Sequence, residues 1–328
     1  MNALENNNRL FLGVDGGQSH TEAVVAAENG VVLGNGTGGP SNHAEVPGGR
    51  ERLRGAILDS VGEAIARLQV NNVGDVRFHS AHFGMSGGAD YKKEIIREIV
   101  NADILNFGHD APAALAGGTG GDPGIVVISG TGSAIYGEDL HGRTARAGGL
   151  GYLFSDEGSG FWLAAQTIRL AIKEDDGVIE NAGIANLVLE HFGVSTIRDL
   201  TTGFYNGKFT RDEIAGFAKP AAVAAEAGNE VLRKQIRAGA FSLAENVKAA
   251  SRVLNFPADF NVVGVGGMFH GTMMRSEFGV SLAELVPNAK FVRPRFGPVI
   301  GALLLAYSSA GIEISEQLLS NLDKHQIK

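Results

Sequence analysis

The sequence contains no cysteine among its 328 residues. This absence excludes disulfides, thiolate catalysis, cysteine-based zinc sites and iron–sulfur clusters. No apolar run approaches the roughly 20 residues of a membrane span, and no long basic run suggests nucleic-acid binding. The formal net charge is −8, so we expect neither a nucleic-acid partner nor a membrane partner. The first ten residues lack the basic start and apolar core of a signal peptide, and we therefore expect a cytoplasmic protein.

What the sequence has in abundance is glycine, with 47 residues. Apolar residues make up 44% and charged residues 20%, which is typical of a globular protein. The length corresponds to about two domains. The glycines fall in clusters without a collagen period, and such clusters indicate tight turns or backbone that a ligand approaches closely.

Two stretches of the chain share one layout of strand, small-residue turn and strand. Residues 9–16 and 22–28 form the first pair, a further strand is predicted over 31–36, and residues 124–137 form the second pair. With predicted helices and crossovers between these pairs, the pattern indicates an α/β protein with two domains of related architecture.

The helical segments are read from apolar periodicity and from helix-starting signals. Helices are predicted over 48–68 and 160–173, shorter helical pieces over 184–215, and one or two long helices over 220–254. A final apolar helix begins at Gly297-Pro298, because proline favours the first position of a helix.

Two short motifs invite misreading. "GNGTGG" at residues 34–39 matches the dinucleotide fingerprint, but prolines follow where that fingerprint needs a helix to begin. "GMSGG" at residues 84–88 matches a nucleophile elbow around Ser86. We favour a glycine-rich turn in which Ser86 caps a helix near Ala89, and a hydrolase is the weaker alternative. The sequence has no P-loop motif.

The turns of the two hairpins have the composition of a phosphate-binding site. Glycines expose backbone N–H groups, and hydroxyl residues lie beside them, so each turn could donate hydrogen bonds to phosphate oxygens. Asp15 would repel phosphate unless a cation intervened, which predicts a Mg²⁺ site, with water between ion and carboxylate. The alternative for either hairpin alone is a plain tight turn.

Several segments resemble a known family. "LGVDGGQSHTEAVV", "SGTGSAIYG", "VVGVGGMFHG" and "GPVIGALLLA" resemble the phosphate-1, phosphate-2, adenosine and second connecting motifs of the actin-like ATPase fold. "GGLGYLFSDEGSGFWLA" at residues 148–164 resembles the N-acetylglucosamine kinase branch of the BadF/BadG/BcrA/BcrD ATPase family. "GHDAPAAL" and "GPSNH" agree with that branch in position and order.

The resemblance implies two actin-like (ribonuclease H-like) domains with a nucleotide and sugar cleft between them. We expect an N-terminal domain over 1–113, a larger C-terminal domain over 114–297, and a terminal helix over about 298–328 that packs back on the first domain. The implied reaction is phosphorylation of an amino sugar by ATP with Mg²⁺, most simply at the 6-hydroxyl of N-acetylglucosamine. Glucosamine or N-acetylmuramic acid as acceptor, and a non-catalytic sugar-responsive binding protein, are the alternatives. Members of the family are often homodimers.

The resemblance also assigns residues. Asp110 matches the catalytic base, although an Asp at this position could also be a helix N-cap. Asp156 and Glu157 could likewise cap the helix at Gly160, and Asn42 could be a turn residue. The sugar-contacting candidates are Asn42, His43, Ser86, Gly148, Gly149, Asp156 and Glu157. The nucleotide-contacting candidates are Gly16, Gly17, Gln18, Ser19, Thr21, Gly130, Thr131, Gly132, Ser133, Gly266, Gly267 and Met268. Asp15 is the metal candidate.

One departure from the family pattern bears on phosphate binding. The first turn has Gln18-Ser19-His20 where the family more often has Gly, Thr and Lys. The missing lysine charge predicts a greater dependence on Mg²⁺.

Overall fold

The computed structural model describes residues 9–42, 46–87, 92–256 and 258–324. Its contacts divide the chain into unit 1, Met1–Pro123 with Arg293–Lys328, and unit 2, Gly124–Val292. The strands are β1 (Leu10–Gly16), β2 (Thr21–Ala27), β3 (Val32–Gly38), β4 (Arg77–Met85), β5 (Asn101–Gly108), β6 (Gly124–Ser129), β7 (Ser133–Glu138), β8 (Thr144–Gly148), β9 (Phe260–Val265) and β10 (Ala289–Val292). The helices are α1 (Gly49–Ala66), α2 (Lys92–Ile99), α3 (Asp110–Thr119), α4 (Gly160–Asp175), α5 (Ile184–Phe192), α6 (Ile197–Tyr205), α7 (Arg211–Gly216), α8 (Ala218–Glu226), α9 (Glu230–Val253), α10 (Thr272–Leu285), α11 (Pro298–Ser309) and α12 (Glu316–Asp323).

Unit 1 is built on a five-stranded sheet in the order β3-β2-β1-β4-β5. β1, β2 and β3 are antiparallel neighbours, whereas β4 and β5 are parallel to β1. One face of the sheet packs on α1 and α2, with Leu12, Val14 and Phe83 buried there. The other face packs on α11, where the Phe11 and Tyr307 rings lie 4.4 Å apart. The chain therefore returns to this unit after unit 2, and the predicted boundary after residue 113 falls inside α3.

Unit 2 repeats the strand order of unit 1. Its sheet runs β10-β9-β6-β7-β8, with β6, β7 and β8 antiparallel and β9 and β10 parallel to β6. β6 thus corresponds to β1 and β7 to β2. The predicted α/β class and the repeated hairpin are confirmed. The helices between β8 and β9, together with α10, bury the main core, which includes Leu163, Phe217, Leu243 and Phe278.

The "GNGTGG" motif lies largely within β3, so no helix begins at its third glycine. A Cβ atom on Gly34, Gly36 or Gly38 would collide with the α1 backbone at Ala64, Ser60 and Ala56, respectively. These glycines alternate along the strand and let α1 lie directly on the sheet. Their role is close packing, and the rejection of a dinucleotide fingerprint is confirmed.

Candidate active site

The first candidate turn joins β1 to β2 at residues 17–20. The Gly17 N–H donates to the His20 carbonyl (2.9 Å), and Gly17 and Gly16 accept at their carbonyls from the Ser41 N–H (3.2 Å) and the Ser86 N–H (2.8 Å). Three segments that are distant in sequence therefore meet at this turn. Since the Gly17 N–H is already bonded inside the turn, it is not free to donate to a phosphate.

Close packing explains the glycine at position 16. A Cβ atom there would lie 2.5 Å from Ser41 Oγ and 2.6 Å from Met85 Cε. Thr21 is fully buried, and its hydroxyl donates to the Gly39 carbonyl (2.9 Å). It therefore holds the loop that leads to Ser41. Gln18 and Ser19 lie at the more accessible side of the turn.

Two carboxylates lie at the same edge of the unit 1 sheet. Asp15 pairs in register with Gly84, and Gly84 pairs with Gly108, so the ends of β1, β4 and β5 are level. Asp110 begins α3 just beyond β5, and its Cα lies 3.7 Å from a Cβ atom built on Gly84. Burial, then the charges of Asp110 and Glu22, raise the pKa of Asp15 to about 7.

The alternative that Asp110 is a helix N-cap does not hold. His109 occupies the N-cap position with extended backbone, and Asp110 is the first helical residue. An N-cap side chain folds back to accept from the N–H groups that follow it. Because Asp110 lies one position later, its carboxylate has no such capping role, although an acidic residue in the first turn still favours the helix dipole.

His82 is a residue of this unit that the motifs did not single out. It pairs with Gly13 of β1 and Asn106 of β5. Its side chain is therefore on the same sheet face as Asp15, two residues further from the end of the strand. Its side chain is buried, and neither ring nitrogen has a hydrogen-bond partner among the described residues. Burial lowers the pKa of His82 to about 4, so the imidazole is neutral at physiological pH.

The second candidate turn joins β6 to β7 through Gly130, Thr131 and Gly132. The Gly130 N–H donates to the Gly132 carbonyl (2.9 Å), while the Gly130 and Thr131 carbonyls accept from Gly160 (2.8 Å) and Phe161 (3.1 Å) at the start of α4. The turn and the α4 N-terminus are thus bonded to each other. Among the described residues, the Thr131 and Gly132 N–H groups have no backbone acceptor, so these two groups are available to a ligand.

Residues 156–159, the DEGS segment, are hydrogen-bonded to the strand ends that flank the same turn. The Ser133 hydroxyl donates to the Glu157 carbonyl (2.9 Å), and the Ser129 hydroxyl donates to the Gly158 carbonyl (2.8 Å). Ser133 therefore shapes the site instead of offering a free donor. Gly266 also lies here, with φ of 98° and no room for a Cβ atom against the Ser129 carbonyl.

Asp156 is buried beside this turn. Its backbone has a positive φ of 66°, which is uncommon for a residue with a side chain, and its Oδ1 accepts from the Gly151 N–H (3.3 Å). Burial raises the pKa of Asp156. The expectation that Asp156 and Glu157 cap α4 is wrong, since Ser159 is the N-cap and its hydroxyl accepts from the Trp162 N–H (3.1 Å).

Arg211 also lies against the second turn, and no local pattern in the sequence indicated it. Its Nη2 lies 3.6 Å from Asp156 Oδ2 and 3.0 Å from a Cβ atom built on Gly132. Its Cζ lies 5.1 Å from the centroid of the Tyr152 ring. The guanidinium and the buried carboxylate therefore both lie against Gly132.

The remaining candidates fall around these two turns. Asn42 follows Ser41, and its carbonyl accepts from Arg52 (3.0 Å). His43 lies outside the described residues, as does the segment after Ser86 in which a cap was expected. Gly148 and Gly149 are exposed at the end of β8, both with positive φ. Glu157 lines a groove of about 450 Å³ with Tyr152 and Trp162.

The candidates of the adenosine motif differ in exposure, since Gly267 is exposed and the Met268 side chain is buried. Gly267 is exposed and next to Gly266. The Met268 side chain is buried in the core of unit 2 with Phe269, so only its backbone could meet a nucleoside. No cluster of three His, Cys, Asp or Glu side chains that could hold a metal occurs in the part of the chain that the structure describes. Among the described helices, none combines the length and the apolar character needed to cross a membrane.

Comparison with known proteins places these residues in a wider context. The family model described as "BadF/BadG/BcrA/BcrD ATPase family" matches residues 12–306. An N-acetylmuramic acid/N-acetylglucosamine kinase of Clostridium acetobutylicum is 28% identical, covering 92% of this chain and 99% of its own. An N-acetyl-D-glucosamine kinase of Dictyostelium discoideum is 28% identical, covering 92% of this chain and 98% of its own.

A solved structure from Chromobacterium violaceum, provisionally described as an N-acetylglucosamine kinase, shares the fold. It is 26% identical, with a TM-score of 0.73, and the match covers 91% of this chain and 99% of the other. The range matched by the family model, residues 12–306, includes both turns.

Proposed function

The chain belongs to the BadF/BadG/BcrA/BcrD ATPase family, and from that membership we propose that it phosphorylates an amino sugar with ATP. The acceptor is the 6-hydroxyl of N-acetylglucosamine. The family assignment made from the motifs is confirmed, and the relatives with kinase names match the chain over nearly its whole length. The observation that carries the proposal is the position of Asp110, the first residue of α3, beside the end of the strand that bears Asp15.

Asp110 is the general base. It accepts the proton of the sugar hydroxyl while that oxygen bonds to the γ-phosphorus and the bond to the ADP oxygen breaks. A general base commonly contributes about 10²–10⁴-fold to the rate. The absence of a capping role leaves the Asp110 carboxylate available for this task.

The two turns bind the polyphosphate of ATP. In the first turn the donors are the backbone and side chains of Gln18 and Ser19, because the Gly17 N–H and the Thr21 hydroxyl are bonded internally. In the second turn the donors are the Thr131 and Gly132 N–H groups. Gly16, Gly130, Ser133 and Gly266 shape the two turns by close packing and internal hydrogen bonds.

Asp15 is suited to Mg²⁺. It is a partly buried carboxylate whose pKa is raised to about 7 by burial and by the charges of Asp110 and Glu22, so a nearby cation would favour its ionised form. Mg²⁺ prefers oxygen ligands and is held by one or two carboxylates together with phosphate oxygens and waters. When bound, the ion would neutralise phosphate charge. Asp15 would hold it through water.

The sugar is recognised by the DEGS segment and its neighbours. Asp156 accepts from sugar hydroxyls, and Gly148 and Gly149 allow the ring to approach the backbone. Asn42, His43, Ser86 and Glu157 are the further sugar contacts. The backbone of Gly266, Gly267 and Met268 lies along the nucleoside.

A panel of sugars tests this function. The purified protein is mixed with Mg-ATP and, in separate reactions, glucose, glucosamine, N-acetylglucosamine and N-acetylmuramic acid, and ADP release is followed. We expect release that depends on an amino sugar and is fastest with N-acetylglucosamine. ADP release that no sugar stimulates would overturn the proposal.

N-acetylmuramic acid is the second candidate acceptor, since the Clostridium acetobutylicum relative is named for both sugars. The same panel separates the two by the ratio of their kcat/KM values. We further propose a cytoplasmic homodimer, which light scattering on the purified chain and fractionation of its source cells would test.

A further inference from the structure

Arg211 has no role in the motifs, yet its backbone is held firmly in place. It is the first residue of α7, directly after the N-cap Thr210. The Thr210 hydroxyl accepts from the Glu213 N–H (3.2 Å), and the Glu213 carboxylate accepts from the Thr210 N–H (2.7 Å). This reciprocal capping box fixes the start of the helix, and with it the point from which the arginine side chain extends.

The arginine side chain extends to the second turn. Its Nη2 would lie 3.0 Å from a Cβ atom on Gly132, and Asp156 Oδ2 would lie 2.8 Å from the same atom. Any side chain at position 132 would displace both groups. Gly132 is therefore the point at which the glycine turn, the buried carboxylate and the guanidinium meet.

Among the described residues, none forms a hydrogen bond of ordinary length with this guanidinium. The separation of 3.6 Å from Asp156 Oδ2 is an ion pair that is longer than the 2.7–2.9 Å typical of a charged hydrogen bond. The Nε–H is buried and has no hydrogen-bond partner among the described residues. The side chain as a whole is 33% exposed, so its terminal Nη groups, and not the buried Nε–H, can meet an acceptor that comes from outside the chain.

The surroundings select the chemistry of that acceptor. The Tyr152 ring covers the guanidinium at 5.1 Å, and a covered guanidinium donates only from its edge. The Nη2 end of this edge lies beside Gly132, and the Gly132 N–H has no backbone acceptor among the described residues. Two types of donor, one charged and one from the backbone, suit a phosphate oxygen.

We propose that Arg211 binds the γ-phosphate of ATP at Gly132 while it holds the Asp156 carboxylate in place. This inference rests on the proposed kinase function for its choice of phosphate. Asp156 is the sugar acceptor in that function, and the phosphate nearest the sugar is the one transferred. Arg211 also supplies a positive charge to the second turn, whereas Gln18-Ser19-His20 of the first turn contains no lysine or arginine.

Nucleotide affinity tests the inference without any sugar. Calorimetry compares the ATP analogue AMPPNP with ADP, both with Mg²⁺, on the wild type, Arg211→Met and Arg211→Lys. We expect Arg211→Met to weaken AMPPNP binding by about 10-fold or more, to leave ADP binding within about two-fold, and to be partly rescued by Arg211→Lys. Arg237→Met is the matched control, because Arg237 is an arginine of the same unit paired with Glu277 at 3.0 Å.

Kinetics then distinguish two roles of Arg211, namely binding the phosphate and only holding Asp156 in position. A contact made with the transferred group predicts a kcat lower by about 10²–10³-fold in Arg211→Met. Support of Asp156 alone would raise the KM for the sugar, as is expected of Asp156→Asn, and leave kcat and AMPPNP affinity unchanged. That result, or equal losses of ADP and AMPPNP affinity, would overturn the inference.

The two proposals fail in different ways. If no sugar is phosphorylated but Arg211→Met still discriminates AMPPNP from ADP, the kinase proposal fails and the Arg211 contact stands. If Arg211→Met phosphorylates the sugar as the wild type does, the kinase proposal stands and the Arg211 contact fails.

Discussion

The turn of unit 1 and the turn of unit 2 follow corresponding strands, but different groups pack against their glycines. At Gly16 the nearest atoms to a would-be Cβ belong to Ser41 and Met85, and the charged neighbours at that sheet edge are Asp15 and Asp110. At Gly132 the nearest atoms belong to Asp156 and Arg211. One turn thus adjoins two carboxylates, with the Lys92 ammonium bonded to the nearby Ser86 carbonyl (2.6 Å). The other adjoins a carboxylate paired with a guanidinium.

The comparison shows how one backbone layout can be given two tasks. Unit 1 combines its turn with carboxylates that suit a proton acceptor and a Mg²⁺ site. Unit 2 combines its turn with a cation and an acceptor of hydroxyl hydrogen bonds. The side chains that pack from distant segments, and not the glycines themselves, give each turn its chemistry.

The largest effect is expected in unit 1. Replacing Asp110 with Asn removes the proton acceptor but keeps the shape of the side chain, so kcat should fall by about 10²–10⁴-fold. Sugar affinity should stay within a few-fold, because Asp156 remains. Asp122→Asn is the control, since that aspartate is exposed beyond the end of α3. A kcat within about ten-fold of the wild type in Asp110→Asn would remove Asp110 from the role of base.

The next effect concerns stability. It compares how well a glycine next to each turn tolerates an added Cβ atom. Gly266→Ala places a Cβ atom against the Ser129 backbone at a φ of 98° and should lower the free energy of unfolding by about 2–4 kcal/mol. Gly16→Ala meets side-chain atoms of Ser41 and Met85, which can move, and should cost less.

Gly267→Ala provides the matched control for Gly266→Ala, because no atom lies within 4 Å of its would-be Cβ. Urea unfolding of the three variants measures the order. An equal loss in Gly266→Ala and Gly267→Ala would show that the close approach to β6 does not constrain this segment.

A smaller effect is expected from Asp15→Asn. Without this carboxylate, the Mg²⁺ concentration for half-maximal rate should rise by about ten-fold, while the KM for the sugar changes little. Titration of the rate with Mg²⁺ at fixed ATP measures the shift. Glu22→Gln is the comparison, because Glu22 also raises the pKa of Asp15 but is not assigned to the ion. An unchanged Mg²⁺ requirement in Asp15→Asn would argue against the metal role.

The smallest effect is a pH dependence that His82 gives to unit 1. Its pKa is about 4 in the folded chain, below the ordinary 6.5, so the unfolded chain binds the extra proton more readily between these values. Stability should therefore decrease as the pH falls from about 6.5 towards 4, by about 1–2 kcal/mol at pH 5.

His82→Leu should remove this part of the decrease. Urea unfolding of both proteins at pH 7 and pH 5 gives the two slopes. The variant supplies the slope from other groups, and the difference from the wild type is the contribution of His82. If the free energy of unfolding changes equally with pH in the two proteins, burial of His82 does not contribute to the pH dependence of stability.

Local signals predicted the elements that position the site. The apolar run ending at Asp15, the repeat at residues 124–137 and the Gly297-Pro298 start of α11 all correspond to observed elements. β8 and β10 were not predicted, because they are short edge strands with mixed polarity. α10 also lacked a clear signal. The single terminal helix expected over about 298–328 is wrong, because the structure has two helices there, α11 and α12, separated at Gly311 with a positive φ of 73°.

The rest of the site depends on contacts between distant segments. Arg211 reaches Gly132 through the packing of α7, and His82 lies beside Gly108 through the parallel pairing of β4 and β5. No spacing in the sequence records such contacts. The helix caps were also misassigned by one to three residues, since Asp110, Asp156 and Glu157 all lie near good cap positions that His109 and Ser159 occupy.

The most direct test of the central claim is identification of the product. The wild type is incubated with Mg-ATP and N-acetylglucosamine, and the mixture is analysed by phosphorus NMR with proton correlation. The account predicts one phosphate monoester, coupled to the protons on carbon 6 of the sugar, in amounts equal to the ADP formed. Inorganic phosphate as the sole new phosphorus species, with the sugar unchanged, would contradict it.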